Sequence, residues 1–273
     1  MEFLNVDGTR VPRLGFGTWQ LTGEACADAV RDAVAAGYRH IDTAQMYDNE
    51  AGVGEGIRAA GVAREDVFIT SKLANGAHAP DDARRAFEGT LRALGSDYVD
   101  LFLIHWPMPD GASDFEDTWR TLEEFRADGR ARSIGVSNFE IAHLERLAAA
   151  SDTPPAVNQI EVHPFHTNEE VRAYGAAHGI RTEAWSPLAQ GAALTEPLIV
   201  DIARRIGCTP SQAILRWHLQ RGDIVFPKTM SDARMRENID VLGFELDSED
   251  MAAISGLDRG PDGRMGPHPD EVN

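Results

Sequence analysis

Short apolar segments alternate with amphipathic segments along the whole chain, and this alternation restricts the possible folds more than any other feature of the sequence. Each apolar segment has the length of a buried strand, and each is followed by a stretch typical of a helix. Eight such units predict a closed (β/α)8 barrel, or TIM barrel, and leave an open doubly wound sheet as the alternative. The predicted strands are residues 14–18, 38–42, 67–71, 98–105, 133–136, 156–159, 181–184 and 224–226.

No break in composition divides the chain, so residues 1–273 are predicted to form a single barrel domain. Residues 3–12 predict a β-hairpin before the barrel, because Asp7-Gly8 suits a two-residue turn. Residues 258–273 are rich in Gly, Pro and Asp and predict an irregular tail rather than a helix. The clearest helices are predicted at 24–36, 50–60, 81–94 and 113–126.

Composition narrows the class of protein. A formal net charge of −18 without any run of Lys or Arg argues against a nucleic-acid partner. No stretch of about 18 apolar residues is present, so no membrane span is predicted. The first residues lack the pattern of a signal peptide, and the distant Cys26 and Cys208 lack metal-ligand spacing, so we expect a cytoplasmic protein with both thiols reduced. Nothing in the sequence requires more than a monomer.

Polar or aromatic residues stand at the carboxyl end of one predicted strand after another. Asp42 ends the second strand, and Tyr47 lies in the loop that follows. Lys72 ends the third strand and His105 the fourth. Because enzymes with this fold place their chemistry at the carboxyl ends of the strands, these side chains are expected to share one site. The later strands end at Ser137-Asn138, Gln159, Trp185-Ser186 and Lys228-Thr229.

The first four of these residues suit the reduction of a carbonyl group without a metal. Tyr47 can protonate the developing alkoxide, and a neighbouring Lys72 ammonium is expected to lower its pKa from about 10. Asp42 would hold Lys72 in place, and His105 could orient the substrate oxygen. Each residue taken alone has a plainer explanation as a cap, a loop aromatic, a solvated strand end or a structural histidine, but four such residues at neighbouring strand ends favour catalysis.

Several longer segments resemble the aldo-keto reductase family. They are GYRHIDTA at 37–44 with Tyr47, Asn49 and Glu50, DYVDLFLIHWP at 97–107, and GVSNF at 135–139, followed by Pro227-Lys228 with Arg234, Glu237 and Asn238. Among members of the family, the bacterial 2,5-diketo-D-gluconate reductases are the most similar, through EAWSPL at 183–188, SQAILRWHLQ at 211–220 and HPDEV at 268–272.

The resemblance covers the whole chain and implies NADPH-dependent reduction of aldehydes, ketones or diketo-sugar acids. It implies that Asp42, Tyr47, Lys72 and His105 are catalytic, and that the substrate lies against Trp19, Tyr47, His105 and Trp106. The positions it implies for cofactor binding are Gly17, Thr18, Asp42, Ser137, Asn138, Gln159, Trp185, Ser186, Leu188, Gln190, Gly191, Lys228, Thr229, Arg234, Glu237 and Asn238.

Lys228 and Arg234 are the residues that predict NADPH rather than NADH. Two cations near a helix start, in a chain of net charge −18, suggest an anion such as a 2′-phosphate. The alternative is a solvated helix start, in which Asp232, Arg236 or Glu237 pairs with Arg234. The Rossmann fingerprint is absent, which is consistent with a cofactor held by barrel loops.

The chain departs from the family at Ala74, where many relatives carry a tryptophan that would line the pocket. This departure argues against tight sugar-acid specificity. His163 and His166 show no convincing ligand spacing and are expected to be structural or exposed. Two other functions stay open: a cofactor-binding regulatory protein on the same barrel, and an aldolase or lyase with Lys72 as a Schiff-base amine, which Asp42 disfavours by keeping that amine charged.

Overall fold

The protein is described by a computed structural model that covers residues 2–6 and 8–273. Asp7, one residue of the predicted hairpin turn, lies outside the described residues. The strands are β1 (Phe3–Val6), β2 (Thr9–Pro12), β3 (Phe16–Gly17), β4 (His40–Asp42), β5 (Phe68–Leu73), β6 (Val99–Ile104), β7 (Ala131–Ser137), β8 (Val157–Glu161), β9 (Arg181–Trp185) and β10 (Ile224–Val225).

Helices follow the strands as the periodicity predicts, with bounds within two residues of the four clearest predictions. Local sequence explains where they start and stop. The third helix begins with a proline and two aspartates and ends at Gly95, whose left-handed backbone (φ 64°) suits a residue without a side chain. The helices are α1 (Gly23–Ala36), α2 (Glu50–Ala59), α3 (Pro80–Leu94), α4 (Phe115–Ala127), α5 (Ile141–Ala150), α6 (Glu169–Ala177), α7 (Pro197–Ile206), α8 (Pro210–Arg221), α9 (Asp232–Ile239) and α10 (Ser248–Ser255).

Strands β3 to β10 form one parallel sheet in chain order, and the sheet closes on itself. The Gly15 amide donates to the Val225 carbonyl at 2.9 Å, and the Val225 amide donates to the Arg13 carbonyl at 2.9 Å. The first strand is shorter than predicted because residues 13–15 pair with the last strand instead of with β4. The (β/α)8 barrel is confirmed, and the open doubly wound sheet is wrong.

The barrel is packed in two apolar layers. One layer lies between strands and helices and contains Trp119 and Trp217, both fully buried, with Phe87 stacked on Phe125 at 4.2 Å. The other fills the amino end of the barrel interior. There the predicted hairpin is present and packs Val6 and Val11 against Phe68, Leu101, Leu103, Val157, Ile224 and Phe226. This plug leaves the carboxyl end of the interior for polar side chains.

The C-terminal tail is irregular, as predicted, apart from short 3-10 turns at Gly260–Gly263 and Pro269–Glu271. It runs back over the carboxyl end of the barrel. Among the described helices, none has the length and apolar character needed to cross a membrane. Both cysteines are free thiols, Cys26 buried and Cys208 half-buried.

Candidate active site

Lys72 lies at the centre of the carboxyl end of the barrel, with its side chain fully buried. Its ammonium donates to both carboxylate oxygens of Asp42 at 2.8 Å and to the Thr43 carbonyl at 2.8 Å. It also approaches the Tyr47 hydroxyl at 3.4 Å. The ion pair expected from the sequence is therefore present, and a tyrosine hydroxyl lies next to it.

The pair fixes the charge of the lysine. Burial alone would lower the pKa of Lys72, but the neighbouring Asp42 carboxylate opposes burial, and the net effect is a raised pKa. Lys72 is thus a permanent cation at neutral pH. A buried cation held by a carboxylate is well suited to stabilise a neighbouring oxyanion.

The pKa of Tyr47 differs from the sequence-based expectation. Burial of the hydroxyl raises this pKa, and the Lys72 ammonium lowers it only in part, since the Asp42 carboxylate opposes that effect. The expectation of a net lowered pKa is wrong, because it counted the charge of Lys72 without the loss of solvent. The proton therefore stays on Tyr47 until an acceptor arrives.

His105 follows β6 and is 8% exposed, with its ring in edge contact with the Tyr47 ring at 5.7 Å between centroids. Burial and the positive charge of Lys72 hold its pKa well below the usual value. The imidazole is therefore neutral and can donate one N–H. Its backbone carbonyl accepts a hydrogen bond from Asn138 Nδ2 at 2.9 Å, which anchors the end of the strand.

Four residues implied for nicotinamide binding lie together on β7, β8 and β9 or, for Asn138, directly after β7. The Ser137 hydroxyl donates to the Gln159 carbonyl at 2.8 Å. The Trp185 indole N–H donates to Asn138 Oδ1 at 2.8 Å. The C-terminal tail also packs closely against the indole: a Cβ placed on Gly266 would lie 2.6 Å from the Cη2 atom of Trp185. Trp185 is thus a half-buried aromatic surface held on two sides.

The tail is fastened by Glu161, the residue opposite Trp185 in the β8–β9 register. Its carboxylate accepts from the Met265 amide at 2.7 Å, the Gly266 amide at 3.1 Å and His163 Nε2 at 3.0 Å. Burial alone would raise the pKa of Glu161, but these bonds lower it. Glu161 is therefore a buried carboxylate that ties the tail beside Trp185.

The loop after β9, implied for the pyrophosphate, has an unusual backbone. Ser186, Ala189 and Gln190 have φ values of 51°, 51° and 52°, and Gly191 has 96°. Leu188, just before Ala189, has a φ of −97°. Leu188 followed by Ala189 is a right-handed residue followed by a left-handed one, an order found in anion-binding backbone turns, while the Ala189 and Gly191 amides donate to the Ser186 and Leu188 carbonyls at 2.8 Å and 2.9 Å.

The cations implied for the 2′-phosphate lie around the start of α9. Lys228 and Arg234 are exposed, and neither side chain forms an ion pair within residues 2–6 and 8–273. Asp232 instead pairs with Arg236 at 3.1 Å, so Arg234 is left without a partner on its own helix, and a solvated helix start stays the alternative to a phosphate site. Thr229 is buried, and its hydroxyl accepts from the Ser231 amide at 3.1 Å.

Glu237 and Asn238, implied for adenine contacts, are engaged in packing between α8 and α9. Glu237 accepts a hydrogen bond from the Thr209 hydroxyl at 2.8 Å, and Asn238 Oδ1 accepts one from Ser211 at 2.5 Å. Asn238 is buried. In this structure both side-chain contacts join the two helices, and a role at the cofactor stays a prediction.

The remaining candidates border the site. Gly17 lies against β10, where a Cβ would be 3.1 Å from the Phe226 carbonyl oxygen, and the Thr18 hydroxyl donates to the Asp42 carbonyl at 2.9 Å. Trp19 is 47% exposed, and Trp106 is half-buried. The Ala74 amide donates to Gln45 Oε1 at 2.8 Å, so the loop after β5 contacts the segment that carries Tyr47.

The sequence did not single out Glu183, Asn49 or Glu161 as site residues. Asn49 accepts from the Thr43 hydroxyl at 2.6 Å and donates to the Thr18 carbonyl at 2.9 Å, so it joins the two loops beside Asp42. Strand alternation could have found Glu183, which lies two residues before Trp185 and so faces the same interior.

His163 and His166 are both buried, so the exposed alternative is wrong for both.

Comparisons with known proteins agree with this geometry. The model of the aldo/keto reductase family matches residues 13–259. Glyoxal reductase of Bacillus subtilis (strain 168) is 45% identical over 267 residues, which cover 97% of this chain and 95% of that protein. Methylglyoxal reductase DkgA of Escherichia coli (strain K12) is 43% identical over 267 residues, which cover 97% and 95% of the two chains.

Solved structures extend the match to three dimensions. A variant of Gox0644 in complex with NADPH superposes with a TM-score of 0.95 at 43% identity, covering 100% of this chain and 98% of that one. A protein provisionally assigned as 2,5-diketo-D-gluconic acid reductase B gives a TM-score of 0.94 at 37% identity, covering 98% and 94%. Sequence, fold and site together show that the chain belongs to the aldo/keto reductase family.

Proposed function

We propose that this protein reduces small aldehydes and ketones with NADPH, with Tyr47 as the proton donor to the carbonyl oxygen. The observation that carries the proposal is the contact of the Tyr47 hydroxyl with Lys72, itself bonded to both oxygens of Asp42. A protonated phenol beside a fixed cation can give up its proton when a stronger base forms next to it. Diketo-sugar acids stay within the proposed range.

A bound reduced nicotinamide would supply a hydride to the carbonyl carbon. The carbonyl oxygen then takes the Tyr47 proton, so that a C–H and an O–H bond form and the C=O double bond becomes single. The phenolate left on Tyr47 is stabilised by the Lys72 ammonium. The neutral His105 can donate an N–H to the same oxygen and set its position.

Several features fit the dinucleotide. The Trp185 indole, held by Asn138 and confined by Gly266, offers a flat surface for the nicotinamide ring. The loop at 186–191, in which the right-handed Leu188 precedes the left-handed Ala189, is the proposed pyrophosphate site. The cations Lys228 and Arg234, which form no ion pair within the described part of the chain, suit a 2′-phosphate, which NADH lacks. These three features support NADPH as the cofactor of this chain.

The relatives favour small dicarbonyl substrates. Glyoxal reductase and methylglyoxal reductase are among the proteins that this chain resembles over nearly its whole length. The chain also carries Ala74 where the family often has a tryptophan, in the loop that contacts Gln45. We therefore place 2-oxoaldehydes first in the substrate range and diketo-sugar acids after them.

The test is NADPH oxidation, followed at the absorbance of the reduced nicotinamide, with methylglyoxal, glyoxal, a simple aldehyde and 2,5-diketo-D-gluconate. We expect turnover with at least the 2-oxoaldehydes, and weaker turnover with NADH. NADPH binding without turnover of any of these compounds would instead indicate a cofactor-binding regulatory protein. Borohydride trapping of a substrate on Lys72 would indicate an aldolase, a result that the raised pKa of Lys72 argues against.

A further inference from the structure

Gln159 connects two buried carboxyl groups at the base of the site. Its Nε2 donates to Asp42 Oδ1 at 2.9 Å and to Glu183 Oε2 at 2.9 Å. Gln159 and Glu183 are also direct neighbours in the register of β8 and β9. All three residues are at most 5% exposed. Both N–H groups of the amide are therefore committed to carboxyl oxygens inside the barrel.

This arrangement determines which way the amide of Gln159 points. The two ends of an amide have nearly the same shape, but only the nitrogen end can donate. A flipped amide would place its carbonyl oxygen against Asp42 and Glu183, where it would lose two hydrogen bonds and meet the Asp42 charge. The observed orientation leaves Gln159 Oε1 without a hydrogen-bond partner among the described residues. It is an acceptor ready for an N–H group that enters the site.

The charge of Glu183 matters because Lys72 lies close by. Burial raises the pKa of Glu183 to about 8; Asp42 adds to this, while Gln159 and Lys72 oppose it. Glu183 is 0% exposed, and its Oε1 atom has no partner in the described part of the chain. As a neutral acid at pH 7 it supplies an acceptor for Gln159 without adding a second anion that would compete with Asp42 for Lys72.

We propose that Glu183 is a positioning residue for cofactor recognition: it orients the Gln159 amide so that Oε1 faces the carboxamide N–H group of the nicotinamide. The inference rests on the proposed function, because the carboxamide belongs to the proposed cofactor. The chemical feature recognised is an amide N–H donor on the pyridine ring. A cofactor analogue that lacks this donor should therefore be insensitive to Glu183.

Two variants of Glu183 distinguish a role in orienting the Gln159 amide from a role in packing alone. Glu183→Gln keeps an acceptor oxygen for Gln159, whereas Glu183→Leu removes it. Dissociation constants for NADPH and for its 3-acetylpyridine analogue, which has no amide N–H, are measured by quenching of tryptophan fluorescence. We expect Glu183→Leu to weaken NADPH binding by roughly fivefold, on the order of one neutral hydrogen bond, and to leave binding of the analogue unchanged. Glu183→Gln should restore NADPH binding to within about twofold.

Equal losses for the two cofactors in Glu183→Leu, or native NADPH affinity in that variant, would overturn the proposal. A thermal melt of each variant shows whether it is folded, and Glu183→Gln, as the isosteric variant, keeps the comparison available if the leucine variant unfolds. A native protein that binds neither cofactor would also overturn it. A native protein that shows the binding pattern but turns over no carbonyl compound would overturn the proposed function alone.

Discussion

The two ends of the barrel interior are built from different kinds of residue, although the same strands form both. At the amino end, Phe68 and Leu101 pack on Val6 and Val11 of the hairpin. At the carboxyl end, the corresponding space holds the Asp42–Lys72 ion pair, with Gln159 and Glu183 beside it. Burial of apolar surface stabilises the first region, whereas burial of charge costs stability in the second.

His40 lies at the boundary between the two ends. Its two ring nitrogens are bonded to the Pro12 carbonyl and the Thr70 hydroxyl, each at 2.9 Å, and burial lowers its pKa to about 3. The ring contacts Phe68 and Phe226 edge-on. A neutral, fully bonded histidine thus separates the apolar plug from the ion pair. Variants at the amino end should change stability, and variants at the carboxyl end should change chemistry.

Tyr47→Phe gives the largest expected effect. Removing the proton donor should lower kcat by about 10²–10⁴-fold and leave the dissociation constant for NADPH nearly unchanged. The matched control is Tyr38→Phe, which removes another tyrosine hydroxyl, bonded to the Met235 carbonyl at 3.2 Å outside the site. Steady-state kinetics of both variants decide the matter: near-normal turnover in Tyr47→Phe would contradict its role as donor.

Leu101→Ala tests the other end of the interior. Leu101 is 1% exposed within the apolar plug. Truncation should lower the free energy of unfolding by about 2–5 kcal/mol, with kcat of the folded protein little changed. Urea denaturation measures the loss, and Leu242→Ala, at a position 41% exposed, is the control. Comparable losses in the two leucine variants would show that the plug is not a main source of stability.

The pH dependence of stability should report the ionisation of Glu183 at the carboxyl end of the interior. Glu183 has a folded-state pKa of about 8, above the value of about 4.3 expected in the unfolded chain. The folded protein therefore binds the extra proton, and the native chain loses stability as the pH rises from about 4.3 to about 8. Glutamine does not titrate, so the melting temperature of Glu183→Gln relative to the native protein should rise over that window. A constant difference from pH 5 to pH 9 would contradict it.

Arg234→Ala tests the proposed 2′-phosphate site at the start of α9, outside the barrel interior, and has the smallest expected effect. Loss of one charged hydrogen bond should raise the dissociation constant for NADPH by roughly tenfold and barely alter that for NADH. Arg236→Ala is the matched control, because Arg236 lies on the same helix but pairs with Asp232. If NADPH and NADH lost affinity equally, Arg234 would lie away from the 2′-phosphate.

The sequence predicted the barrel because strand and helix periodicity are local properties, and it predicted Asp42, Lys72 and His105 because the ends of parallel strands meet at one face. It could not predict the raised pKa of Tyr47, since desolvation depends on atoms brought together from distant strands. Glu183 was missed although strand alternation places it on the interior face beside Trp185. Its neighbours Asp42 and Gln159 are remote in sequence, and a single acidic residue in a strand gives no sign of its partner.

The bonds from Glu161 to the tail have a practical consequence for attaching this protein to a support. Met265 and Gly266 are bonded to Glu161, the cross-strand neighbour of Trp185, and Asn273 accepts a hydrogen bond from the Asp110 amide at 2.8 Å, so the last residues belong to the face of the barrel that carries the site. The N-terminal hairpin covers the opposite end of the barrel. Immobilisation through the N-terminal side would leave the mouth of the site facing the solution, whereas a tether at Asn273 would pull on the segment that confines the indole.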